Sequence, residues 1–119
     1  MICESPFWEH SLEWILGSRD IEVAARAREI HRAPELVARH EPDLLLVEAN
    51  GDSDPDFLFK RLRQVHRERR QSAILVVCSA GAEHVRDAAL AGGALRVVDA
   101  EDAAEFLDAL DAVCDLFAN

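Results

Sequence analysis

Short apolar runs in this sequence end on residues with reactive or ligating side chains. Met1-Ile2-Cys3 is followed by Glu4, Leu44 to Val47 by Glu48, and Leu95 to Val98 by Asp99. A fourth run, Ala73 to Val77, ends in Cys78 and is followed by Ser79. Carboxylates hold divalent cations or move protons, while a hydroxyl or thiolate attacks an electrophile or is modified. Each of these groups needs a partner to act, and the partners are missing. Ser79 lacks the Gly-x-Ser-x-Gly elbow that exposes a nucleophile, and no histidine or aspartate is spaced to serve it. No glycine-rich loop follows the first two strand candidates, so nucleotide phosphates have no cradle. His10, His31, His40, His66 and His84 are scattered, with no pair at metal-ligand spacing. The expectation is a non-enzyme without cofactor, in which Glu4 and Glu48 are the weak candidates for a metal.

The cysteines point the same way. Cys3, Cys78 and Cys114 are odd in number and contain no Cys-x-x-Cys pair. Free, buried thiols in a reducing cytoplasm are the expected state. Cys3 and Cys78 close strands at one end of the expected sheet, but a strand separates them, so a disulfide switch is disfavoured. No basic, apolar leader opens the chain, and no apolar run approaches a membrane span. The 23 acidic and 13 basic residues leave a net charge of −10 over 119 residues, against the basic surface that phosphate contacts require. Lys60 is the sole lysine.

The elements that would position these groups alternate. Asp43 to Glu48 and Ala73 to Cys78 have the continuous apolar character of parallel strands buried on both faces. Ile21 to Ala25, Leu95 to Val98 and Met1 to Cys3 are weaker strand candidates. Helical patterns lie between them. They run from Pro6 to Leu16 with Gly17 as a stop, from Ala33-Pro34 onward, from Asp54-Pro55 to about Arg70, from Ala82 to Ala91, and from Asp102 to Phe117. Gly92-Gly93 reads as the stop of the fourth helix. Five strand–helix pairs predict one α/β domain over residues 1–119: a five-stranded parallel sheet, order 2-1-3-4-5, flanked by five helices. Function in such a sheet sits at the carboxyl ends of the strands.

In this arrangement the chain resembles the CheY-like receiver domain of two-component response regulators. Pro42 to Glu48 ("PDLLLVE") is similar to the strand that ends in the phosphoacceptor aspartate. Ile74 to Ala80 ("ILVVCSA") resembles the strand ending in the switch Ser/Thr and an alanine. Leu90 to Asp99 ("LAGGALRVVD") resembles the turn and strand that end in an invariant lysine. Glu4 to Leu16 ("ESPFWEHSLEWIL") is most similar to the subgroup with a C-terminal helix-turn-helix, the NarL/LuxR type. The resemblance implies a bacterial transcriptional regulator whose DNA contact is made by a separate domain, not by this one.

Residue by residue, the implied phosphorylation site is degenerate. Glu48 stands at the phosphoacceptor, Asp99 at the lysine, and Cys3 at the first of the two acids that hold the cation. Glu4 retains the second acid and Ser79 the switch hydroxyl, while Arg96 replaces the aromatic switch residue. Phosphoryl transfer needs a nucleophile and cation held in line, with positive charge on the oxygens of the moving group. Glutamate shifts the attacking oxygen by about an ångström, which a geometry-dependent displacement does not tolerate. Asp99 inverts the sign of the charge that stabilises the transferred group. The implied molecule is a pseudo-receiver that signals without phosphorylation.

Two rival readings keep the same fold. One is an atypical phosphorylated receiver using Glu48 or a loop aspartate with a cation. The other is a small-ligand sensor lined by Cys3, Asn50 and Ser79. Glu48 reads either as a fixed mimic of the phosphorylated state or as a solvated carboxylate, with the second favoured. Asp52, Asp54 and Asp56 read as a solvated loop that caps the following helix.

Trp8 and Trp14 lie off the apolar side of the first helix. Lys60, Arg61, Arg63, Arg67, Arg69 and Arg70 load one helix with positive charge, while Asp99, Glu101, Asp102, Glu105, Asp108, Asp111 and Asp115 load the last with negative charge. The contrast fits a solvated face, a basic partner, or a head-to-tail contact between copies. The resemblance places a partner-binding or homodimer surface on the fourth helix, fifth strand and fifth helix. Arg86, Asp87, Arg96, Glu101, Glu105 and Asp108 are its expected residues.

Overall fold

The architecture follows from strands too apolar to leave either face in water. The computed structural model describes residues 2, 16–17, 30–79 and 82–117. A 3₁₀ turn (Ile30–Arg32) leads into α1 (Ala33–His40), followed by β1 (Leu44–Ala49), α2 (Pro55–Glu68) and β2 (Ala73–Cys78). A second 3₁₀ turn (Glu83–Val85) opens α3 (Arg86–Gly92), and β3 (Arg96–Asp99) and α4 (Ala103–Phe117) complete the chain order. The strands form one parallel sheet, β1-β2-β3, with Leu44 opposite Ala73 and Leu75 opposite Arg96.

Three strands, not five, are present among the described residues. Ile2 bridges in parallel to Val47 on the free edge of β1, where its N–H donates to the Leu46 carbonyl at 2.7 Å. The Ile2 carbonyl in turn accepts the Glu48 N–H at 2.8 Å. This puts Ile2 beside β1, the neighbour that the order 2-1-3-4-5 gives the first strand. The expected strand Ile21 to Ala25 and most of the first helix lie outside the described residues. Leu16 and Gly17 are both helical, and the residues after Gly17 that bear on its reading as a helix stop lie outside the described residues.

Pleating splits the core in two. Successive side chains point to opposite faces. Leu45, Val47, Ala49, Ile74, Val76 and Val97 pack with Val37 of α1, Leu58, Leu62 and Val65 of α2, and Ala89 of α3. Leu46, Leu75, Val77 and Val98 pack with Leu16 and with Phe106, Ala109 and Leu110 of α4. Burying a side chain of this size contributes about 1.5–3 kcal/mol.

Local chemistry sets the helix limits. Pro55 occupies the first turn of α2, and the Asp54 carboxylate accepts the Asp56 N–H at 3.0 Å, as the capping reading expected. Asp102 does the same for α4 through the Glu105 N–H at 3.0 Å, so this helix begins one residue after it. The expected helix from Ala82 is 3₁₀ over Glu83–Val85 and α-helical only from Arg86. It ends where Gly93 takes φ +118, a left-handed conformation that glycine adopts without a Cβ penalty. At the amino ends of β1 and β2, the Pro42 carbonyl accepts the Ser72 hydroxyl and the Arg69 Nε–H.

Gly92 sets how closely α3 approaches α2. A Cβ there would lie 2.9 Å from Leu62 Cβ and 3.2 Å from the Phe59 carbonyl oxygen. Gly92→Ala is therefore expected to destabilise the fold by about 1–3 kcal/mol despite alanine's better helix propensity. Urea unfolding at fixed pH checks this through the shift in midpoint.

Candidate functional site at the carboxyl ends of the strands

Parallel strands deliver the ends of β1, β2 and β3 to one side of the molecule. Glu48 pairs with Val77, Ala49 with Cys78, and Cys78 with Asp99. Glu48, Ser79 and Asp99 thus meet at this end of the sheet, as the sequence placed them. Cys3 and Glu4 lie outside the described residues. Two details differ from expectation. β1 continues to Ala49, so Glu48 is inside the strand, because its N–H is taken up by Ile2 on the open edge. β3 starts one residue late and includes Asp99 as its last residue.

The reactive groups are held by the backbone. The Ser79 hydroxyl donates to the Ala49 carbonyl at 3.2 Å, and the Ser79 N–H donates to the same oxygen at 2.9 Å. Asp99 is exposed, and its Oδ1 accepts the Glu101 N–H at 2.9 Å, which folds the turn into α4. Asp52 and Asp54 belong to a self-contained turn. Asn50 Oδ1 accepts the Asp52 N–H at 2.9 Å, and Ser53 Oγ accepts the Asn50 N–H at 3.0 Å. Among the described residues, no three His, Cys, Asp or Glu side chains converge to hold a metal ion. Nor is any helix long and apolar enough to cross a membrane.

The cation near this end is Arg86, which sequence reasoning assigned to the partner surface. Its guanidinium donates to the Val97 carbonyl at 3.2 Å. The charge also reaches Cys78. Burial pushes the Cys78 thiol up from its ordinary value, Arg86 opposes that rise, and Asp99 and Glu83 add to it. A raised pKa is the opposite of what a thiolate nucleophile needs. Cys78 is a core residue at 6% exposure, and Cys114 is half-buried on α4.

His84 was read as a scattered surface residue, yet it ties two loops together. Its Nε2 lies 2.9 Å from the Ser53 carbonyl, an acceptor, so the ring nitrogen donates. No spacing in the sequence signals this bond, because residues 53 and 84 meet only through the β1–β2 pairing. A cavity of about 300 Å³ opens beside Glu48, walled by Ile2, Ile30, His31, Val47, Asp52, Ser53, Asp54, Phe57 and Leu58. Asn50 and Ser79, expected to line a ligand pocket, are not in this wall.

The expected partner surface spans α3, β3 and α4. Arg86, Asp87, Arg96, Glu101 and Asp108 are exposed, and Glu105 is half-buried. Arg96 and Asp108 pair at 3.1 Å across β3 and α4. Leu90 on α3 and Leu95, the residue before β3, are 46% and 47% exposed. Sequence reasoning missed this apolar pair, because helical and strand periodicity both assign such residues to a core.

No family model matches the chain, and no curated protein does. Among solved structures, that of a response regulator protein from Burkholderia multivorans is similar, with a TM-score of 0.65 and 23% identity. The likeness covers 96% of this chain and 90% of that one. It shows the fold: a receiver-like α/β fold with a parallel sheet, to which four α-helices are assigned among the described residues.

Cys78 supplies a test of the site's electrostatics. In the fold its neutral form is favoured, so its contribution to stability is present below the ordinary thiol pKa and is lost as pH rises through the raised value. The denaturation midpoint is expected to fall above pH 9.0, the ordinary thiol value, and to fall less in Cys78→Val. With no tyrosine and one lysine, few other groups obscure the effect. Iodoacetamide followed by peptide mapping is expected to label Cys114 faster than Cys78 in the native protein.

Proposed function

We propose that this chain is a signalling domain that works without phosphorylation, as the regulatory domain of a bacterial transcriptional response regulator of the NarL/LuxR type. The observation that carries this reading is Asp99. Its carboxylate occupies the strand end where the resemblance calls for an ammonium, and it is already engaged by the Glu101 N–H. An incoming phosphoryl group there would meet negative charge instead of compensation. Glu48 adds to the deficit by moving the attacking oxygen, and the sole lysine lies in α2.

The output is contact with a protein partner or a second copy through α3, β3 and α4, in the cytoplasm and with no catalytic step. Leu90 on α3 and Leu95 just before β3 are exposed apolar residues on a stretch that also exposes Arg86, Asp87, Arg96, Glu101 and Asp108, a mixture of apolar and charged groups suited to a contact surface. Ser79, bonded to the Ala49 carbonyl, serves as a structural hydroxyl rather than a switch.

Incubation with acetyl phosphate and Mg²⁺, followed by intact-mass analysis, tests the reading. The expected result is the unmodified mass. A stoichiometric adduct on Glu48 or on Asp52, Asp54 or Asp56 would overturn it in favour of an atypical phosphorylated receiver.

The cavity beside Glu48 favours a second reading, a small-ligand sensor. Thermal unfolding against a metabolite library separates the two. A ligand-dependent rise in Tm supports the sensor, since ligand that binds only the folded state stabilises it. An unchanged Tm supports signalling by protein contact.

A further inference from the structure

Two helices on opposite faces of the sheet carry matching stripes of opposite charge. On α2, Lys60, Arg63 and Arg67 are exposed and spaced three and four residues apart. On α4, Asp108, Asp111 and Asp115 are exposed at the same three-and-four spacing. Residues at this spacing share one helix face. In each helix that face points away from the buried set, which is Leu58, Leu62 and Val65 in α2 and Phe106, Leu110 and Val113 in α4. At 1.5 Å per residue, each three-residue stripe is about 10 Å long.

The bland origin of such charges is the helix dipole, and it accounts for only one of them. Cations near the C-terminal end of α2 are favoured by the dipole. Acids in the last half of α4 are not, and its last turn holds no basic residue. Asp115 has no ion-pair partner among the described residues, and neither do Lys60, Arg63 and Arg67. Asp108 keeps 77% of its side chain exposed while paired with Arg96. Exposed apolar residues lie on the same helices: Phe57 at 39% and Phe59 at 36% exposure on α2, and Leu116 at 59% on α4.

We propose that this chain associates head to tail with a second copy, the basic stripe of α2 lying on the acidic stripe of α4. The two helices pack on different cores, on opposite faces of the sheet, so the α2 stripe cannot lie on the α4 stripe of its own molecule. A contact between unlike surfaces leaves one stripe of each kind open at the ends of the assembly, so it propagates rather than closing as a two-fold dimer. The inference goes beyond the regulatory reading, because it adds α2 and, on α4, Asp111 and Asp115, and shares only Asp108 with the α3–β3–α4 patch.

Sedimentation velocity over a concentration series tests it, at about 0.01 M and about 1 M salt, where charges are screened over about 30 Å and 3 Å. The chain's net charge of −10 makes copies repel in general, and salt relieves that repulsion. Complementary stripes predict the reverse, association at low salt that is lost at high salt. Arg63→Glu with Arg67→Glu is expected to weaken it about tenfold, and Asp111→Arg with Asp115→Arg similarly. An equimolar mixture of the two reversed variants is expected to restore association, which also shows that both fold. The neutral pair Arg63→Gln with Arg67→Gln should fall between wild type and reversal.

The proposal is overturned by a chain that stays monomeric at low salt, including one whose α4 instead binds an oligo-arginine peptide. It is equally overturned by association that strengthens with salt, or that ignores both reversals. Association abolished by Leu90→Asp but insensitive to α2 overturns it while leaving the regulatory reading in place.

Discussion

Val76 and Val77, neighbours in the central strand, have no exposed surface and face opposite cores. Such a strand is stable only if helices cover both sides of the sheet. One layer contains α1, α2 and α3, and the other contains α4 and the helical turn at Leu16. Covering both faces in turn requires crossover connections between parallel strands, and parallel strands bring every carboxyl end to one side. The placement of Glu48, Ser79 and Asp99 is therefore a consequence of burying β2.

At that shared end the backbone engages several polar side chains. Ser79 is bonded to the Ala49 carbonyl, the Asp99 carboxylate to the turn that starts α4, and the Asp54 carboxylate to the cap of α2. Arg86 supplies a cation nearby, but it donates to the Val97 carbonyl. These hydrogen bonds tie the strand ends to the turns that follow them, and exposed charges lie on the helices around them.

Much of the fold was legible because its signals are local. Continuous apolar runs identified β1 and β2 to within a residue, Asp54-Pro55 marked the start of α2, and Gly92-Gly93 marked the end of α3. What escaped depends on pairing. Glu48 lies one residue inside its strand because Ile2 takes up its N–H. The first turn ahead of α3 is 3₁₀ rather than α-helical. The His84 bond to Ser53, Arg86 turning to Val97, and the exposed Leu90 and Leu95 all involve residues brought near by strand pairing. No one-dimensional period encodes such meetings.

Residue identity alone determined the sign and kind of chemistry. One lysine at position 60, Glu at 48 and Asp at 99 fix the charge and side-chain length available at those positions, which do not depend on the fold. Only the tertiary structure decided what those groups do. It assigned the Ser79 hydroxyl and the Asp99 carboxylate to the backbone, raised the Cys78 thiol by burial, and set the charged stripes of α2 and α4 on opposite faces. Those outcomes depend on distance and solvent exclusion, which exist only once the sheet has brought separate segments together.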